Sequence, residues 1–279
     1  GGCLVVETSL HVFQKTQSAL AQAIQVRQIA TYDLETCGPE ECVSEVLERY
    51  PEFDQIPIKE NGTVIGVIER HGQTAGEETA AKCMRRLEDS ILVSEELPLL
   101  EFLPLMADPP YYRLVLAGNR INAVVTRSDL LKLPVRLLAF TKISQLETAM
   151  QELIELHYAD ETEWLNLLSK ESSRSIRRRQ KKTVDYRSDL PVVEFTTFKD
   201  KVIIVRQMLG QGDAILDGLD QLVDLRNTVV HDGNYAETEE LLSDFVARLQ
   251  QVDGCIAEID RILRKGVNED DAPREGGHW

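Results

Sequence analysis

The sequence predicts two domains, an α/β half followed by an all-helical half. Three observations carry this. A strand–helix–hairpin order occurs twice before about residue 133. From Pro134 onward apolar residues recur at helical spacing. And 279 residues are more than one ordinary core holds.

Residues 11–30 read as an amphipathic helix through Val12, Phe13, Leu20, Ile24 and Ile29. Cys37-Gly38-Pro39 is a turn cluster, and 42–50 a helix with Val43, Val46 and Leu47 on one face. Strands at 55–59 and 63–68 flank Glu60-Asn61-Gly62, and Asn-Gly between two apolar runs is a hairpin signal. The order then repeats: a strand at 90–93, a helix at 97–106, and a hairpin of 113–116 and 121–125 around Ala117-Gly118-Asn119. A further helix starts at Asp129.

Beyond Pro134 the residues Val135, Leu138, Ile143, Leu146, Met150, Leu153 and Ile154 form one long apolar stripe. Leu156, Trp164, Leu165, Leu167 and Leu168 suggest a further turn or helix, and a basic, Ser-rich stretch at 172–182 interrupts. A strongly amphipathic helix is expected over 213–230, stopped by Asp232-Gly233-Asn234. A last helix runs over 238–263 with a cap at Gly266, and the polar tail from 267 to 279 is expected to be disordered.

Composition narrows the function. Hydrophobic content of 43% with 28% charged residues is that of a soluble globular protein, and no apolar run is long enough for a membrane span. Gly1-Gly2-Cys3-Leu4 has no basic segment ahead of an apolar stretch, so no signal peptide is expected. Five scattered cysteines (Cys3, Cys37, Cys42, Cys83, Cys255) do not make a disulfide framework, and a reducing cytoplasm is expected. A zinc site from Cys37, Cys42, His71 and Cys83 is the weaker reading beside thiols packed as small apolar groups, so no metal is expected. A net charge of −16 is wrong for wholesale coating of nucleic acid, so any RNA contact needs a local basic patch. Arg174, Arg177, Arg178, Arg179, Lys181 and Lys182 supply one, with six cations in nine residues and Arg187 nearby. They can hold a phosphate backbone, or stand as a solvated face.

In the second repeat the strand ends in Thr126 and Asp129 follows three residues later. An ionised Asp accepts from both hydroxyls of a ribose, and a Thr hydroxyl adds a contact. Arg113 and Arg127 can meet a phosphate, and Tyr112 a base. The plainer reading is a helix cap. The two units, 111–131 above all, resemble tandem CBS repeats, at about 25–75 and 88–133 of a module spanning 1–133. That resemblance implies an adenine nucleotide (AMP, ADP, ATP or a related signalling nucleotide) bound through Thr126 and Asp129. The first unit ends Val67-Ile68-Glu69-Arg70-His71 and lacks both residues, implying at most one such site.

The sharpest motif is Leu225-Arg226-Asn227-Thr228-Val229-Val230-His231-Asp232-Gly233. Histidine, with an ordinary pKa of about 6.5, moves protons at neutral pH. Arginine stays cationic and bonds two phosphoryl oxygens. These are the groups needed when an RNA 2′-hydroxyl attacks its neighbouring phosphate, and no metal or cofactor is required. The motif resembles the Arg-x-x-x-x-His motif of HEPN ribonucleases, which implies a HEPN-like helical bundle over 134–265 with Arg226, Asn227 and His231 catalytic. The resemblance also implies a homodimer, or a higher even-numbered oligomer, whose facing motifs make one composite site. The alternative is an inactive nucleotide-sensing scaffold or RNA-binding regulator.

Overall fold

The computed structural model describes residues 19–20, 22–70, 77–183, 190–210 and 218–270. Residues 11–18 and 21 of the helix expected over 11–30, His71, Arg187, the start of the helix expected over 213–230 and residues 271–279 lie outside these. The chain forms two compact units. One comprises Ala21–Val135 with Ala236–Ser243; the other comprises Arg136–Tyr235 and the chain from Asp244.

The first unit contains β1 (Thr31–Tyr32), α1 (Val43–Arg49), β2 (Gln55–Glu60), β3 (Thr63–Glu69), α2 (Ala80–Cys83), β4 (Arg85–Arg86), β5 (Leu92–Ser94), α3 (Leu99–Phe102), β6 (Tyr112–Ala117) and β7 (Arg120–Thr126). One sheet has the order β1-β7-β6-β5, the other β2-β3-β4. Both expected hairpins form. Asn61 and Gly62 both take positive φ, 49° and 84°, the conformation a two-residue turn between twisted strands demands.

The repeat is visible in the pairing. In the second copy β5 runs parallel to β6, with α3 between them in sequence. In the first, that parallel strand is reduced to one bridge from Cys37 to Ile58, with α1 between. Each hairpin then accepts a short antiparallel strand on its outer edge. β3 takes β4, pairing Gly66 with Arg86 and Val67 with Arg85. β7 takes β1, pairing Ala123 with Tyr32 and Val124 with Thr31. These registers are equivalent position by position, and the exchange is reciprocal: the strand leading into each copy completes the hairpin of the other. Gly66 is needed for it, because a Cβ there would stand 2.8 Å from the Arg85 carbonyl oxygen and 2.7 Å from Met84 Sδ.

Two apolar clusters support the sheets. Val43, Val46, Ile56, Ile58 and Ile68 pack with Cys37, whose thiol burial pushes up to about 11. Val64, Val67, Ile91, Tyr112 and Leu114 join the two copies.

Several elements differ from the sequence reading. The first helix ends by Ala23, because Gln25 bridges to Pro98 and the amides of Val26 and Arg27 donate to the carbonyls of Leu97 and Glu95. The helix expected over 97–106 gives way at Leu103–Met106 to a 3-10 turn containing Pro104, which has no N–H for an i→i−4 bond. The helix expected from Asp129 is a 3-10 turn, Arg127–Leu131, ended by extended Lys132.

The helical unit is built on α4 (Leu133–His157), α5 (Glu161–Leu165), α6 (Lys170–Thr183), α7 (Phe198–Leu209), α8 (Leu219–Asn227) and α9 (Glu239–Asp270). The expected stripe of α4 is buried, from Leu138 to Ile154. The Lys201 side chain of α7, 3% exposed, is neutralised by Glu147 of α4 at 3.1 Å. The basic stretch is not an interruption but the helix α6, anchored by fully buried Ile176. α9 continues through Gly266 to Asp270 rather than stopping there. A lone glycine costs a helix about 1 kcal/mol, too little to end it without a left-handed turn. Among the described residues no helix is long and apolar enough to cross a membrane.

Candidate functional site

The α/β unit carries a cleft of about 500 Å³ where equivalent ends of the two hairpins meet. Asp54, Gln55 and Glu69 line it from the first copy; Tyr111, Tyr112, Thr126, Arg127 and Ser128 line it from the second. The registers explain the match, because Gln55 pairs with Glu69 as Tyr112 pairs with Thr126. Arg85, Pro109, Pro110 and Glu239 complete the lining.

Glu69 stands where the second copy has Thr126. Its carboxylate accepts from the Tyr112 hydroxyl at 2.7 Å and from Arg85 at 3.0 Å. Burial, then this bond, pushes the Tyr112 phenol well above its ordinary range, so it donates and stays neutral. Arg127 lies 5.8 Å from the centre of the Tyr111 ring and 3.7 Å from the Glu239 carboxylate. Burial and Glu239 both raise the Tyr111 phenol.

Of the residues read as nucleotide contacts, Tyr112, Thr126 and Arg127 line the cleft; Arg113 and Asp129 do not. Arg113 is buried, and its guanidinium donates to the carbonyls of Tyr112 (2.7 Å), Pro110 and Leu105. Burial lowers its pKa. Asp129 is buried too, and its carboxylate is filled by donors. The Thr126 amide (2.7 Å) and hydroxyl (3.1 Å) reach one oxygen; the Thr31 hydroxyl (2.9 Å) and Lys132 (2.7 Å) reach the other. This is the capping role, extended by Thr31 from the exchanged strand β1.

In the helical unit the Arg-x-x-x-x-His motif straddles a change of helix type. α8 ends at Asn227, and Thr228–Asp232 form a π-turn closed by an i→i+5 bond from the Gly233 amide to the Thr228 carbonyl, 2.8 Å. Gly233 then turns left-handed at φ 72°. On an ideal α-helix, positions five apart sit about 140° apart around the axis. A turn closed by i→i+5 bonds has more residues per turn, which reduces that offset. Asn227 and His231 are exposed and Arg226 is half-buried, with Nη1 3.4 Å from Asn227 Oδ1. Arg136 holds the turn, donating to the carbonyls of Val229 (2.7 Å) and Val230. Nearby Tyr235 stacks on Phe245 at 4.2 Å, and burial pushes its phenol to about 12.

On α6, Arg174, Arg178, Lys181 and Lys182 are exposed and, with Ser173 and Arg177, line a shallow groove. Arg177 is engaged by Glu161 at 2.6 Å, and Arg179 lies 3.8 Å from Asp200. Among the described residues no group of three or more His, Cys, Asp or Glu side chains is placed to hold a metal ion.

The sequence reading missed Asp54, Glu69, Arg85, Tyr111 and Glu239 in the cleft and Arg136 at the motif. A signal existed for Asp54, Gln55 and Glu69, which occupy the repeat positions of Tyr111, Tyr112 and Thr126. Glu239 and Arg136 arrive from distant parts of the chain and left none.

No family model and no curated protein matches this chain. Among solved structures, the CBS domain of a bacterial CNNM/CorC family Mg2+ transporter in complex with ATP is similar at 15% identity and a TM-score of 0.36, over 44% of this chain and 96% of that one. The CBS domains of a transcriptional regulator from Streptococcus pneumoniae are 19% identical with a TM-score of 0.34, over 38% of this chain and 96% of that one. A conserved CBS domain protein from Thermoplasma acidophilum is 14% identical with a TM-score of 0.34, over 42% and 75%. The tandem α/β architecture stands on the strand pairing above, independently of these scores.

Proposed function

We propose that the protein is an adenine-nucleotide-regulated, metal-independent endoribonuclease of CBS–HEPN type. The nucleotide binds in the α/β cleft, and RNA is cut at the motif spanning the end of α8 and the π-turn. The observation that carries the nuclease reading is the π-turn inside the Arg-x-x-x-x-His motif, with Asn227 and His231 exposed and Arg226 half-buried.

The chemistry follows from the groups. His231 takes the proton of an RNA 2′-hydroxyl as it attacks the adjacent phosphorus. Arg226 bonds the phosphoryl oxygens as negative charge grows there. Asn227 orients the phosphate. The 5′-hydroxyl leaves with a proton from the His231 of a second copy, giving a 2′,3′-cyclic phosphate. The exposed Leu137 and Phe140 of α4, one and four residues after Arg136, favour such a homodimer. The exposed cations of α6 suit the substrate's backbone.

Purified protein is incubated with RNA in EDTA, with and without AMP, ADP or ATP. Cleavage leaving 2′,3′-cyclic phosphate ends, lost by at least a hundredfold in His231→Ala, is expected for a positioned proton-transfer group. Dimeric protein that cuts no RNA with any of the nucleotides overturns the nuclease reading.

A further inference from the structure

The charges around the α/β cleft bear on which nucleotide it accepts. Its lining offers two guanidiniums, Arg85 and Arg127, and three carboxylates, Asp54, Glu69 and Glu239. Each guanidinium is already matched. Arg85 lies 3.0 Å from Glu69 and 3.7 Å from Glu88, and Arg127 lies 3.7 Å from Glu239. Asp54 lies 4.0 Å from Arg70, whose guanidinium donates to the carbonyls of Leu47, Tyr50 and Phe53. Among the described lining residues no cation stands without a carboxylate beside it.

We propose that this cleft selects a nucleoside monophosphate over the corresponding di- and triphosphate, and that Glu239 sets the selection. The inference rests on the nucleotide-binding reading above and deepens it. One phosphate can displace Glu239 from Arg127 and take its place, exchanging one anion for another. A second and third phosphate add negative charge beside Glu69, Asp54 and the displaced Glu239, with no further cation among the described lining residues to meet them. Glu239 reaches the cleft from the first turn of α9, so the selectivity comes from outside both repeats. The ribose and base are left to the Thr126 hydroxyl and the Tyr111 and Tyr112 rings.

Calorimetric titration of the full chain with AMP, ADP and ATP in EDTA at low salt tests this. Affinity should fall in that order, with AMP about tenfold tighter than ATP, a factor typical of one uncompensated charge contact near a surface. Glu239→Gln should bring the two within about twofold, chiefly by strengthening ATP. Glu240→Gln removes the same charge from an exposed neighbour and should leave the gap unchanged. ATP binding as tightly as AMP to the unaltered chain overturns the proposal and leaves the nucleotide reading standing. So does a gap that survives Glu239→Gln, or one that Glu240→Gln closes equally. Binding of none of the three nucleotides sinks both.

Discussion

The two copies of the α/β repeat share one backbone plan and fill it with different side chains. At the end of its hairpin the second copy has Thr126 and Arg127; the first has Glu69 and Arg70. Thr126 and Asp129 close a cap, whereas Glu69 is held by Tyr112 and Arg85. Arg127 faces the cleft, whereas Arg70 turns back onto carbonyls at the end of α1 and beyond. Three residues inward, the first copy needs Gly66 where the second has Ala123. Register is set by the backbone, and the side chains at equivalent ends are free to diverge, as the acidic Glu69 and neutral Thr126 do.

The Gly66–Ala123 difference gives the largest test. Gly66→Val drives a branched side chain into the Arg85 carbonyl and should destabilise the α/β unit by about 2–3 kcal/mol. Ala123→Gly should cost only about 1 kcal/mol, the ordinary penalty of glycine in a strand. Denaturant unfolding of both variants compares them, and equal losses would contradict the close approach of β4 to Gly66. Next is Asp129→Ala, which strips the acceptor from Thr126, Thr31 and Lys132 and should cost about 2 kcal/mol. A loss below about 0.5 kcal/mol would contradict the capping role and return Asp129 to the list of ligand contacts. The smallest is Tyr112→Phe, which removes one bond to Glu69 for about 1 kcal/mol while keeping the buried ring. Its nucleotide affinity should change little if the ring, rather than the hydroxyl, meets the ligand.

What was legible in the sequence was local. The Asn61-Gly62 and Gly118 turns, the hairpins and the α4 stripe each depend on neighbours a few residues apart. The two-residue strands β1 and β4 were invisible, since nothing in two residues announces a partner such as Val124 far along the chain. α6 escaped because one buried Ile176 among serines and cations makes no stripe. α7 went unread although Thr197 and Asp200 cap it reciprocally, at 3.1 Å and 2.9 Å, and Phe198, Val202 and Val205 mark its buried face. Arg113 looked like a phosphate ligand because sequence shows a charge and not the Leu105 and Pro110 carbonyls that absorb it.

The reciprocal strand exchange has a consequence for how the α/β unit comes apart. Either half expressed alone would expose an unsatisfied hairpin edge and carry a leading strand with nowhere to dock. The nearest remedy is the same strand from a second fragment, so isolated halves are set up to associate. In the intact chain neither hairpin can shed its outer strand without disturbing the other half. The pair therefore melts as one cooperative block, and a ligand held at one hairpin end is felt at both.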